Sequence, residues 1–153
     1  MAVRVQQDDF DIGAEVGRLT SGNTDIGAIV TFTGTVRGVA GERPIASMTL
    51  EHYPGMTENE LARVESEALS RWPLAATLIV HRTGTLQPGD NIVLVVTASP
   101  HRQAAFEAAE FMMDFLKSRA TFWKKEADAT GAGAWVDARD TDLDAMDRWS
   151  KTQ

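Results

Sequence analysis

Lys117 and Lys124 are the residues whose type and spacing best suit chemistry. They bracket the stretch Lys117-Ser118-Arg119-Ala120-Thr121-Phe122-Trp123-Lys124-Lys125-Glu126, which holds four cations before its first acid. The whole chain has a formal net charge of −7, so this local excess runs against its background. A helical pattern gives way to a strand pattern here. Lys117 falls in the last helical turn, where the helix dipole favours a cation. Lys124 shares a strand face with Phe122 and Glu126. A tight helix-to-strand turn would bring the two ammonium groups together. Their repulsion would lower one pKa and make a lysine usable as an acid or base near neutral pH. The pair would then converge on an anionic substrate. The plain alternative is a helix-end lysine followed by edge-strand lysines that discourage aggregation. The pattern alone leaves both readings open.

A second constellation is Ser99-Pro100-His101-Arg102, which leaves an apolar strand and opens a helix. Ser99 suits the N-cap and Pro100 the first helical position. Free amides at a helix start attract anions, yet the side chains here are basic, against the dipole. A bound phosphate facing amides and a guanidinium would resolve that conflict. Side chains that simply point into water are the competing reading. Arg37 ends a strand and precedes the glycine-rich loop 37–44, and such loops often close over ligands. Taken alone, Arg37 and Arg139 also fit plain surface arginines. His52 and His81 sit within strand patterns and read as structural. Trp123, beside the lysines, reads as a pocket-lining residue.

Composition narrows the classes of function. A length of 153 residues fits one domain with a single core. No cysteine occurs, which excludes disulfides, thiolate metal sites and cysteine nucleophiles. The three histidines form no metal-ligand spacing, and the reading calls for no metal and no cofactor. Net negative charge argues against general nucleic-acid binding. No apolar run is long enough to span a bilayer, and the N-terminus lacks a signal core. The expected location is the cytoplasm, with no membrane partner.

The elements that would position these residues follow from periodicity. Val3 and Val5 begin a short strand, and Ile12, Val16 and Leu19 follow Asp11 at helical spacing. Residues 27–36 read as a strand, with a bulge or close backbone approach at Gly34. Residues 45–53 read as its return strand. Thr57 with Glu60 reads as a capping box for a helix that buries Leu61, Val64, Ala68, Leu69 and Trp72 before Pro73 stops it. Residues 78–80 form the next strand. Residues 91–98 are apolar on both faces, as expected of a central, covered strand. The third and longest helix runs to about Arg119, and two strands follow, at 122–127 and 134–138. The acidic end of the chain has room for a short helix near Trp149. Hairpins dominate over strict alternation, so the expected fold is α+β: one domain of antiparallel or mixed sheet with three main helices. The expected division is a domain over 1–140 and an acidic tail over 141–153.

At these same residues the chain closely resembles the large, catalytic subunit of molybdopterin synthase. The matching motifs are Phe32-Thr33-Gly34-Thr35-Val36-Arg37, Leu50-Glu51-His52-Tyr53-Pro54-Gly55-Met56, His81-Arg82-Thr83-Gly84, Pro88-Gly89-Asp90, Ser99-Pro100-His101-Arg102 with Ala105-Phe106, the stretch from Lys117 to Glu126, and Trp135-Val136. They run in the family's order from about residue 27 to 139.

The resemblance implies an α/β-hammerhead-like fold and a sulfurtransferase. Two sulfurs would pass to cyclic pyranopterin monophosphate from the thiocarboxylated C-terminal glycine of a small ubiquitin-like subunit. It also implies a heterotetramer around a homodimer of large subunits. Carried over by position, Lys117 and Lys124 match the catalytic lysines, with Lys117 nearest the incoming tail. His101 and Arg102 match residues that hold phosphate and pterin. Thr35, Val36 and Arg37 match the strand-end part of the substrate site, and Lys125 and Glu126 flank Lys124 within it. Arg139 matches a further arginine contributed across the dimer.

Two positions depart from the family pattern. Thr121 stands where proline is usual, which loosens the turn before Lys124. Thr35 stands where some relatives carry lysine, which leaves the backbone as the contact there. Two other functions were weighed against this one. A non-catalytic scaffold for a ubiquitin-like partner would have no need of converging cations. A phosphate-ester enzyme would need a nucleophile or metal that the chain does not evidently offer.

Overall fold

The computed structural model describes residues 2–118, 122–136 and 147–150. Its longest apolar stretch becomes its central strand. β8 (Asn91–Ser99) lies between β6 (Ala76–Arg82) and β2 (Ala28–Thr35), and β1 (Ala2–Gln6) adds to the far side of β6. β1 pairs with β6 in parallel, whereas the other two pairings are antiparallel, so this first sheet is mixed. Alternation along β6 and β8 sends side chains into two separate cores. Leu78, Val80, Leu94 and Val96 pack with Phe10 beneath α1 (Ile12–Thr20). Ile79, Val93 and Val95 point the other way, against α2 (Met56–Arg71) and α3 (Arg102–Ser118).

The second sheet runs β10 (Gly133–Val136), β9 (Phe122–Ala127), β5 (Ser47–His52), β7 (Gly84–Leu86). It encloses a smaller core of Val36, Met48, Leu50 and Leu86. The chain passes from the first sheet to the second between β6 and β7. Gly84 makes this turn with φ of 90°, a backbone angle that side-chain-bearing residues avoid. Two-residue strands β3 (Val39–Ala40) and β4 (Arg43–Pro44) form a small hairpin inside the glycine-rich loop. Residues 147–150 are helical and bury Trp149 against α3, where its indole Nε1 donates to Asp114 at 2.6 Å.

The α+β class, the three main helices and the central position of residues 91–98 agree with the sequence reading. Three local expectations change. β5 is not the return strand of β2: it pairs with β7 and β9, and β2 pairs with β8 instead. A central strand needs a backbone partner along each edge, and β2 supplies one of them to β8. The capping box is shifted two residues towards the N-terminus. Gly55 is the N-cap and Glu58 accepts from its amide at 2.7 Å, while buried Thr57 accepts from Tyr53 N–H at 3.0 Å. α3 begins at Arg102 and not at Pro100. Ser99 remains in β8, where its hydroxyl donates to the Pro73 carbonyl at 2.8 Å and accepts from His101 N–H at 3.3 Å.

The expected close approach at Gly34 is present. The β2–β8 register slips between Gly34 and Thr35, and a Cβ on Gly34 would stand 3.0 Å from Val93 Cγ1. Among the described residues no helix is long and apolar enough to cross a membrane.

Candidate functional site

Three elements meet where β6 ends. α3 brings Lys117 in its last turn, exposed, with no acid in the first turn at its other end. β9 brings Phe122, Lys124 and Glu126, which share one face because they are two residues apart on a strand. This face is half-buried, and the opposite face, with Trp123 and Lys125, is exposed. β6 brings His81, which is only 6% exposed. The register places Lys124 opposite Leu50 and Phe122 opposite His52 on β5. The inward face of β9 therefore shares a side with Leu50, and Phe122 on it packs against the core between the first sheet and α2 and α3.

His81 reports the charges around it. Its Nδ1 lies 2.8 Å from the Arg82 carbonyl oxygen. A carbonyl can only accept, so Nδ1 carries the proton and Nε2 keeps its lone pair. Burial is the main cause that drives the His81 pKa down, to about 3, and the Lys124 and Lys117 ammonium groups and His52 push in the same direction. The imidazole is therefore neutral across the working range of most proteins. The two lysines that bear on this ring come from different elements, α3 and β9. The ring stacks face to face on Phe122, with centroids 3.7 Å apart and an interplanar angle of 16°.

Glu126 completes the inward face. Its Oε2 is enclosed and has no hydrogen-bond partner among the described residues. An acceptor in that state fits a site awaiting a donor from a ligand.

The other expected site residues are placed as follows. Thr35 and Arg37 are exposed at the end of β2. Val36 between them is buried at 3% exposure and belongs to the core with Met48 and Leu50. Its amide donates to Asp90 O and its carbonyl accepts from Gly89 N–H, at 2.9 and 2.8 Å, so Val36 anchors the strand end to the 89–90 turn. Lys125 points away from Lys124. Arg139 and Thr121 lie outside the described residues.

His101 and Arg102 are exposed at the start of α3, at the opposite end from Lys117. The 17 residues of that helix separate the two clusters by about 25 Å at 1.5 Å per residue. One chain therefore does not bring His101 and Arg102 to the lysine pair. Sequence reasoning expected that meeting. It also set His81 aside as a strand residue. The signal available was a histidine closing an apolar strand, immediately before the Thr83-Gly84 turn. Among the described residues no group of three or more His, Asp or Glu could hold a metal ion.

The fold is thus that of an α+β protein whose β6 end carries two lysines, a neutral buried histidine and Glu126. Comparisons with known proteins place that class. A family model described as MoaE protein matches residues 5–119. The chain is 57% identical over 152 residues to the molybdopterin synthase catalytic subunit of Rhizobium meliloti, covering 99% of this chain and 97% of that one. It is 53% identical over 151 residues to that of Mesorhizobium japonicum, covering 98% and 94%.

Among solved structures it is similar to the molybdopterin biosynthesis MoaE protein from Burkholderia ambifaria, at 51% identity and a TM-score of 0.83, covering 98% and 99%. It is also similar to the molybdopterin synthase from Staphylococcus aureus, at 32% identity and a TM-score of 0.79, covering 86% and 94%. The chain belongs to the MoaE family.

Proposed function

We propose that the chain performs sulfur transfer as the catalytic subunit of molybdopterin synthase, with Lys117 and Lys124 as its catalytic pair. The observation that carries this is placement: Lys124 stands two residues after Phe122, whose ring is stacked on buried His81, and Lys117 closes α3, its charge also bearing on that ring. The substrate is cyclic pyranopterin monophosphate. The sulfur donor is the thiocarboxylated C-terminal glycine of a small ubiquitin-like subunit. Each sulfur addition passes through anionic species. Ammonium groups fixed beside the reacting carbon stabilise such charge and can also donate or accept a proton. Lys117, exposed at a helix end, is open to an incoming tail. Lys124 and Glu126, half-buried on β9, face the substrate from the other side. Thr35, Arg37 and Lys125 border the same end of the molecule.

His101 and Arg102 hold the phosphate from a second copy of the chain. The length of α3 supports this, since it keeps them from the lysines of their own chain by more than one tricyclic substrate can span. Arg139 is likewise contributed across the dimer. The assembly is a heterotetramer, with two small subunits docked on a central pair of large ones. The functional domain spans 1–140, residues 147–150 of the acidic segment pack onto it through Trp149, and the protein works in the cytoplasm.

The test is reconstitution. The chain is mixed with a thiocarboxylated small subunit and the cyclic phosphate, and molybdopterin is measured. Product is expected. Its absence, under conditions in which an established synthase turns over, would overturn the reading.

A further inference from the structure

β6 and β9 lie in different sheets and share no backbone pairing. Side chains join them: the His81 ring lies flat on Phe122, and the His52 ring stands 6.4 Å from the other partner in this group, again Phe122. His81 is itself held. Its Nδ1–H bond to the Arg82 carbonyl fixes the plane of the ring, and Val93 opposite it on β8 fixes its place in the first sheet. Phe122 is the first residue of β9, and Lys124 follows two residues later on the same face. The stack that holds the first residue of β9 therefore anchors the strand on which Lys124 stands.

We propose that His81 is a positioning residue for Lys124: its ring, stacked on Phe122, ties the end of β6 to the start of β9 and sets where the Lys124 ammonium stands relative to Lys117. This rests on the reading of Lys117 and Lys124 as the sulfur-transfer pair. Residue type follows from the surroundings. The position calls for a flat ring against Phe122, and histidine adds a donor for the Arg82 carbonyl. It faces Lys117 on α3, Lys124 on β9 and His52 on β5, so a charged side chain there would add a third cation to the group.

The test uses the complex reconstituted with thiocarboxylated small subunit and cyclic pyranopterin monophosphate. His81→Leu removes the plate and is expected to lower kcat by about 10²-fold, the size of loss that an ångström of misplacement produces. KM for the pterin phosphate and Kd for the small subunit stay within about twofold of wild type, since ground-state binding is untouched. His81→Phe keeps the plate and retains kcat within about threefold. In a Lys124→Ala background, His81→Leu has no further effect, because the residue it positions is gone.

Wild-type kcat in folded His81→Leu overturns the proposal. So does an equal loss in His81→Phe, or an undiminished loss in the Lys124→Ala background. If circular dichroism shows that His81→Leu does not fold, Phe122→Leu breaks the same stack from the β9 side and is judged by the same kcat and background criteria. Failure of the underlying reading is seen separately, as full turnover by Lys124→Ala alone.

Discussion

The two ends of α3 each present cations, and they are built differently. At the C-terminal end, Lys117 joins Lys124, Glu126 and the neutral ring of His81, on elements locked together by sheet register and ring stacking. The helix there is braced: Trp149 packs edge-on against Phe111 and Trp72, and Arg148 pairs with Glu110 and Asp114. At the N-terminal end, His101 and Arg102 are exposed. A rigid, crowded cluster suits chemistry, which needs fixed geometry. An open pair at a helix start suits capture of an anion brought by a partner surface. One helix thus carries two cation clusters, and its 17 residues hold them about 25 Å apart at 1.5 Å per residue.

The largest expected effect tests the braced end. Lys117→Ala should lower turnover by at least about 10³-fold, the scale of losing both proton transfer and charge stabilisation. Binding of the small subunit should stay within about twofold of wild type. Loss of the complex in place of turnover would make Lys117 a docking residue. Next is the brace itself. Trp149→Ala should cost about 3 kcal/mol of stability, seen as a lower denaturant midpoint. An unchanged midpoint would show that the terminal turn does not support α3.

The comparison between the ends can also be broken directly. Arg102→Ala should reduce kcat/KM by about 10-fold to 100-fold through loss of a charge-assisted bond to phosphate. Co-expressed with Lys117→Ala, it should restore about a quarter of wild-type activity, because half of randomly paired dimers are mixed and each mixed dimer has one intact site of two. No restoration would place both clusters in the same copy.

The last effect concerns pH. Folded His81 resists protonation down to about pH 3, whereas the unfolded ring takes a proton near 6.5. Its contribution to stability is full above pH 6.5 and is lost as pH falls from there towards 3, at up to about 1.4 kcal/mol per pH unit. Denaturant unfolding at neutral and acid pH should therefore show a gentler acid loss in His81→Phe. Equal slopes for wild type and variant would mean that the ring is not held neutral.

Much of this was legible in one dimension. The both-faced apolarity of Ile92–Val96 marked the central strand, because only a strand flanked by neighbours and covered on both faces tolerates that pattern. Gly34 announced a close approach. The lysine pair, and the motifs around it, named the family. Other features depended on which strands meet. Nothing local to Ser47–His52 says that it joins β9 and not β2, since strand pairing is decided by whichever partner completes the better-buried face. The cap of α2 moved to Gly55 because the Thr57 hydroxyl found Tyr53 N–H instead.

Residue order by itself determined the class of fold, the presence of a cationic pair and the family, since these depend on composition, periodicity and motif. Tertiary structure decided how the cations are distributed. Lys124 on β9 stands two residues after Phe122, whose ring lies on His81 at the end of β6, and Lys117 closes α3. His101 and Arg102 are kept apart from them by a straight helix, whose rise per residue does not depend on what its two ends would bind.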